Sequence, residues 1–299
     1  MEGSIIKYQK SFNRLIERFR KAEGVLAVMV FGSMVTGDLW EESDIDLFVI
    51  IDEHGTEIKN IYTYEKDVPV HIKLMSKEKF KHLYEEDKRG GFMHRIFASS
   101  RLVYSKDLEI TKTYDSGRYY PDIDRERWNM VYLGRLLKNI GVCKKYIAND
   151  GVYTAYSAAV RCLEDYAKLL INSSGYMISK DAMAMAMNLN DEYKKVVDEL
   201  FYTNEINIKN SIEKITCFID SSIDKIIRTS TKVLINFMKD SDCTLSAEDI
   251  IKDNLFENYN INMEEILNKL YDENLIKRQT REFVLTNKSV IFEENVYYV

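Results

Sequence analysis

Two short clusters in the chain have the residue types and spacing for nucleotide chemistry. A Gly-Ser pair, Gly32-Ser33, stands ten residues ahead of Asp44 and Asp46, which bracket a single isoleucine. Glycine at the end of an apolar run lets the backbone turn sharply and approach a bulky anion closely. A helix starting at Ser33 would present unpaired N–H groups and the positive end of its dipole, and the serine hydroxyl adds a donor, so a phosphate is favoured there. In an extended strand alternate side chains share a face, which puts Asp44 and Asp46 on one side and Ile45 and Leu47 on the other. Two carboxylates on one face repel unless a cation lies between them, and Mg2+ takes carboxylate oxygens together with phosphates and water. The plainer alternative is an ordinary turn followed by a solvated strand face. Against it stands the order of the elements, since one apolar run delivers the turn and a second carries the carboxylates.

The elements that must position these groups follow from periodicity. Ile5, Tyr8, Phe12, Leu15, Ile16 and Phe19 recur at helical spacing, so residues 4–22 read as an amphipathic helix. The runs Val25 to Phe31 and Ser43 to Ile51, the second carrying Asp44 and Asp46, read as strands on either side of a short helix from Ser33. Val68 to Met75 reads as a third strand with Pro69 near its start, Ser76 as the N-cap of a helix over 77–86, and residues 101–104 as an edge strand. The segment 114–121, with Gly117 and Pro121, has little periodicity and reads as a crossing between domains. From Asp124 to about Asp240 the pattern is helical, with breaks near 149–151, 173–175 and 188–190, as in an antiparallel bundle with short loops. The alternating Met183, Met185 and Met187 read as core or pocket filler. Helices over 247–256 and 263–274, then strands over 282–285 and 290–292, resemble a winged helix.

Gly32-Ser33, a spacer of about ten residues, then Asp44-Ile45-Asp46 with Ser43 before it resembles the signature of the DNA polymerase beta-like nucleotidyltransferase superfamily. Within it the chain looks most like the antibiotic nucleotidyltransferases of the kanamycin and lincosamide type. The resemblance is strong over residues 20–52 and fainter beyond. It implies an α+β chain: a small mixed-sheet nucleotidyltransferase domain over 1–118, a helical substrate-binding domain over 119–240, and the winged-helix-like module over 241–299. It implies a Mg2+-dependent enzyme that moves a nucleoside monophosphate, AMP from ATP by family habit, onto a hydroxyl of an aminoglycoside or lincosamide, conferring antibiotic resistance. Asp44 and Asp46 would hold the metal, Gly32 and Ser33 the β- and γ-phosphates, and Lys73 would neutralise triphosphate charge.

One departure from the pattern matters. Many members of the superfamily take a third carboxylate from the neighbouring strand, whereas this one offers His71 and Lys73 on one face and Val70, Ile72 and Leu74 on the other. A histidine on a polar strand face is ordinarily a satisfied surface or cleft residue, not a ligand. Kanamycin-type enzymes draw a base from the helical domain, and their Glu-Tyr-Ala is similar to Asp165-Tyr166-Ala167, which makes Asp165 the expected general base with Glu164 as substitute. Arg161, one turn earlier, is placed to pair with Asp165. The alternatives are nucleotidylation of a protein or RNA, as in toxin–antitoxin members of the superfamily, or a nucleotide-binding regulator that has lost catalysis.

Composition sets the frame. The 299 residues include 45% hydrophobic and 30% charged, with only two prolines, ordinary for a globular chain with room for two or three domains. No run approaches a membrane span, and Met-Glu-Gly-Ser lacks the regions of a secretory signal, so a cytoplasmic protein is expected. Cys143, Cys162, Cys217 and Cys243 lie far apart and read as buried thiols, and the four histidines have no zinc spacing. Residues 241–299 carry six Lys or Arg against twelve Asp or Glu, a net −6 equal to that of the whole chain. Phosphate neutralisation supplies most nucleic-acid affinity, so an acidic module argues against a nucleic-acid partner and for a structural role or a homodimer contact.

Overall fold

A computed structural model describes residues 2–86, 90–202, 208–285 and 289–299; the helical expectation for 203–207 lies outside them. The chain divides into two compact units, residues 1–121 and 122–299.

The first unit runs α1 (Glu2–Lys21), β1 (Val25–Phe31), α2 (Ser33–Thr36), β2 (Ile45–Ile51), β3 (Lys59–Glu65), β4 (Val68–Ser76), α3 (Lys77–Glu86), α4 (Phe92–Ser99), β5 (Arg101–Ser105) and α5 (Leu108–Gly117). Its sheet has the order β3-β4-β2-β1-β5, with β2 and β4 parallel and the other pairs antiparallel. β1 and β2 are apolar and almost wholly buried because both faces of the sheet are covered. Val28, Val30, Leu47, Val49, Val70 and Ile72 pack with Tyr8, Leu15 and Ile16 of α1. Met29, Phe48, Ile50 and Met75 pack on the opposite face with Phe80 of α3, Phe97 of α4, and Ile110 and Tyr114 of α5.

Three differences from the sequence expectations appear in this unit. β3 was not anticipated: six of its seven residues are exposed, so no apolar alternation marks it. It is anchored to α1 through the buried Glu65, whose carboxylate accepts from Arg18 Nη2 at 2.6 Å and whose carbonyl accepts from Ser11. Second, 114–117 belong to α5, not to a crossing, because the buried Tyr114 docks that helix by donating to the Ser100 carbonyl at 2.7 Å. Only 118–121 remain irregular apart from the start of the next unit. Third, α4 was not among the expected helices; β5 sits at the sheet edge as expected, beside β1.

The second unit comprises α6 (Asp122–Ala148), α7 (Val152–Ser173), α8 (Ala182–Leu189), α9 (Asp191–Tyr202), α10 (Ile208–Ser230), α11 (Lys232–Ser241), α12 (Ala247–Ile251), α13 (Met263–Asp272), β6 (Lys277–Val284) and β7 (Val290–Tyr298). The helix breaks fall where Asn149-Asp150-Gly151, Ser173-Ser174-Gly175 and Asn188-Leu189-Asn190 predict them. Met183, Met185 and Met187 are half-buried against the helical core. The β6–β7 hairpin is longer than the apolar runs within it, α12 stops five residues short of Phe256, and Leu245 bridges Tyr297 ahead of α12. Cys143 and Cys162 are buried, but Cys217 and Cys243 are exposed, correcting the expectation of four buried thiols. Among the described residues no helix is long and apolar enough to cross a membrane.

Candidate active site on the first sheet

At the end of β1 the backbone turns through Gly32 at φ 70° and ψ −151°, a conformation L side chains rarely adopt. A Cβ at this position would collide with Asp46 Oδ2. The glycine therefore serves a close approach, as its place in the sequence suggests, and the group seated against it is the carboxylate of the neighbouring strand. Ser33, half-buried, opens the single turn α2, whose Val35 and Thr36 N–H groups donate to the Gly32 carbonyl at 2.9 and 3.2 Å.

Asp44 is exposed just ahead of β2, and Asp46 lies inside it with its side chain 21% accessible. The loop that delivers them is tied to α1 by Tyr8, whose hydroxyl donates to the Ser43 carbonyl at 2.6 Å and to that of Glu41 at 3.2 Å. Burial pushes the Tyr8 phenol up, and the charges of Asp44 and Glu41 add to it. Ser43 Oγ in turn accepts from the Trp40 N–H at 3.0 Å. In the sequence Tyr8 is legible only as one apolar member of a helix stripe; its hydroxyl's task is not.

Sheet register assembles the rest. Phe31, Asp46, His71 and Tyr62 are successive cross-strand partners on β1, β2, β4 and β3, and Met29, Phe48, Lys73 and Asn60 form the next row. Since opposed residues of a sheet share a face, both rows face the α3–α5 side. His71 Nδ1 lies 3.3 Å from Asp46 Oδ1, and its ring stacks on Tyr62 with centroids 4.5 Å apart and planes 7° from parallel. Asn60 Oδ1 accepts from Lys73 Nζ at 2.9 Å and stands 3.3 Å from His71 Nε2. Lys73 therefore shares a polar network with the Asp46 row. Asn60 and Tyr62 were missed because their strand was missed.

Asp165 lies in the second unit, on α7. It is 7% exposed, accepts from Asn139 Nδ2 of α6 at 3.3 Å, and has Lys168 Nζ at 3.8 Å. Burial pushes its carboxyl up, against the pull of Lys168 and Arg135. The cations beside it are those two, not the Arg161 expected from helix spacing. Glu164 is half-exposed on the same helix and faces Lys168 at 3.9 Å.

A divalent ion suits the donor set of the first unit: a carboxylate held against a turn with no room for a Cβ, and an imidazole nitrogen facing it. Among the described residues no three His, Cys, Asp or Glu side chains are grouped closely enough to hold a metal unaided. Mg2+-type sites commonly draw their remaining ligands from phosphates and water.

Residues 13–109 match the family model of the polymerase beta nucleotidyltransferases. That span begins within α1, ends at the start of α5 and contains Gly32, Ser33, Asp44, Asp46, His71 and Lys73. With its mixed sheet and strand-turn-strand site, the first unit belongs to the DNA polymerase beta-like nucleotidyltransferase superfamily. Among solved structures, the chain is similar to a nucleotidyltransferase-like protein from Exiguobacterium sibiricum 255-15, determined at 1.90 Å. The two share 12% identity and a TM-score of 0.64 over 97% of this chain and 99% of that one, so the likeness in fold extends beyond the matched family residues. No curated protein matches the chain.

Proposed function

We propose that the chain is a divalent-metal-dependent nucleotidyltransferase of the cytoplasm, transferring a nucleoside monophosphate to a hydroxyl of a small molecule and releasing pyrophosphate. AMP from ATP, with Mg2+, and an acceptor of the aminoglycoside or lincosamide class are the choices the sequence resemblance favours. The observation that carries this reading is Asp46 seated against the Gly32 turn inside a domain that matches the family model.

Asp44 and Asp46 hold the metal in this scheme, and Gly32 and Ser33 receive the β- and γ-phosphates. Lys73 offsets triphosphate charge. A bound divalent ion would neutralise the phosphates and stabilise charge on the attacking and leaving oxygens. Asp165 takes the acceptor's hydroxyl proton as that oxygen bonds to the α-phosphorus and the bond to pyrophosphate breaks. Burial fits Asp165 for this task, because a carboxylate with a raised pKa is a stronger base. The division of labour assigns transfer to residues 1–118, acceptor binding to 119–240, and a structural or self-association role to 241–299.

A binding-only regulator is the second reading, favoured by the histidine that stands where a third carboxylate is usual. Labelled ATP and divalent metal, followed by mass spectrometry against aminoglycosides, lincosamides, RNA and protein, separate the readings. A labelled small molecule is expected, and its formation should fall by at least about 10³-fold in the Asp44→Ala, Asp46→Ala double variant. Unchanged turnover in that variant sinks the proposal. Label on macromolecules instead points to a toxin-like activity, and calorimetric nucleotide binding without any product points to the regulator.

A further inference from the structure

We propose that β6 is a dimerisation edge: two copies of the chain pair Lys277–Val284 antiparallel about Thr280, joining their hairpins into one four-stranded sheet. The inference takes up the self-association role proposed above for residues 241–299 and does not depend on the chemistry of the first sheet.

The hairpin is a two-stranded sheet with an open outer strand. Leu245 bridges β7 at Tyr297, on the side away from β6. All eight residues of β6 are exposed, and among the described residues no strand lies beside its outer edge. A bare edge strand offers a row of N–H and C=O groups ready to pair with another chain. Its surroundings are apolar. Phe283, Val284, Leu285, Val290, Ile291 and Phe292 are 38–54% exposed at the far end of the hairpin, where the two phenylalanine rings stack with centroids 4.8 Å apart. At about 150–200 Å2 per side chain, half exposed, that is roughly 500 Å2 of apolar surface on each copy. A specific interface buries about 800 Å2 per partner, so the patch and the paired strand together approach what a stable dimer needs.

Charge selects the partner and the register. Arg278, Thr280 and Glu282 alternate onto one face of β6, and Glu282 stands directly across from Glu293 of β7. Like charges so placed destabilise a hairpin unless a cation joins them. Arg281 does not serve, because it lies on the other face and pairs with Glu294 and Asp249. Arg278 stacks its guanidinium on the Tyr271 ring at 4.2 Å, which leaves its N–H edge for a carboxylate. With Thr280 opposite Thr280, Arg278 of each copy falls opposite Glu282 of the other, so the twofold makes the contact twice. Each arginine then stands beside the Glu282 and Glu293 pair of the second copy, and Val284 falls opposite Ile276. The β7 edge does not suit itself in this way: it carries Glu293 and Glu294 and no cation, so self-pairing would only oppose like charges. A β6 to β7 contact between copies is head-to-tail and does not close.

Sedimentation of the full chain over a concentration series tests this, together with disulfide trapping in a background where the exposed thiols are removed by Cys217→Ser and Cys243→Ser. A dimer is expected, its dissociation constant rising at least about 10-fold in Arg278→Glu and recovering when Glu282→Arg is added. Thr280→Cys should cross-link two chains under mild oxidation, because directly opposed strand residues have Cα atoms about 4.5–5.5 Å apart, within disulfide reach. Glu282→Cys should not, since the twofold sets its two copies roughly 13 Å apart along the strands. Circular dichroism checks each variant for folding, and the cross-link reads the register even where a charge reversal disturbs the hairpin. A monomer at all concentrations overturns the dimer and leaves the nucleotidyltransferase reading as it was. A dimer indifferent to the charge reversal, or one that cross-links through Glu282→Cys and not Thr280→Cys, overturns the β6 pairing.

Discussion

Asp165 is where residue chemistry and stability pull in opposite directions. Its carboxyl is pushed up chiefly by burial, with Lys168, Arg135 and the Asn139 amide only partly compensating. The folded protein therefore holds a proton there that the unfolded chain has already released, and raising the pH through that window costs stability. Asparagine keeps the shape and an oxygen for the Asn139 amide while removing the charge. Asp165→Asn should thus melt at the same temperature as the native protein or higher at pH 7, the gap closing on acidification toward about pH 4. Nucleotidyl transfer should fall by roughly 10²–10⁴-fold in the same variant, the usual contribution of a general base. Thermal melts and turnover measured together check both: a marked loss of stability at pH 7 would place Asp165 among structural residues. That this aspartate is buried follows from its sequence neighbourhood, since Cys162, Leu163, Tyr166 and Leu169 set a helix face. Lys168, three residues on in α7, is legible there too, but Arg135 is not, because it comes from another helix.

At the scale of elements, the floor of the site depends on α5 being held to the sheet. Asp107 caps that helix, accepting from the Glu109 and Ile110 N–H groups at 2.8 and 3.1 Å, and receives Lys77 Nζ at 2.6 Å from the first turn of α3. Burial works to raise its pKa, but Lys77 and the two backbone donors prevail and hold the carboxyl below its ordinary value. A lowered carboxyl stabilises above its unfolded pKa, and the benefit fades as the pH falls through the folded one. Asp107→Ala should cost about 1–2 kcal/mol in urea denaturation at neutral pH, and clearly less under acid. A cost independent of pH would mean packing, not charge, sets the contribution. The elements legible in the sequence were those with a buried apolar face: β1 and β2 are runs of seven bounded by turns, and α1 repeats its stripe. β3 escapes because its residues are solvated and its hairpin turn uses Lys66 and Asp67 at positive φ, where glycine or asparagine would ordinarily signal the turn. With β3 unseen, Asn60 and Tyr62 could not be placed beside His71, so the contact and the ring stack that hold its imidazole were not legible.

At the scale of the whole molecule, composition marks the C-terminal segment as acidic and its pattern marks it as a hairpin module. Neither reveals how the module is fastened. Ile250, Phe256, Ile266, Leu267, Leu270 and Tyr297 belong to the same apolar cluster as Leu133 and Leu136 of α6. Tyr259 donates to Asp124 Oδ1 at 2.9 Å, and Phe256 meets Phe237 of α11 edge to face. Gly134 of α6 lies so close to the Asn262 backbone that a Cβ would stand 3.0 Å from its nitrogen and 3.1 Å from its oxygen. An appendage that merely followed the bundle would leave α6 room for a side chain. Valine at that position must therefore push the α12–α13 connection away from α6 or distort the helix, a cost of about 1–3 kcal/mol by analogy with overpacked cores. Gly134→Val is expected to lower the melting temperature by several degrees, at ~2–4 °C per kcal/mol for a unit of this size. Removal of residues 241–299 should go further and abolish the cooperative melting of the helical unit, because it uncovers the apolar faces of α6 and α11 together. A truncated chain that keeps a native-like melt and helical circular dichroism would show that the acidic module adds nothing to the core and is free to serve a partner alone.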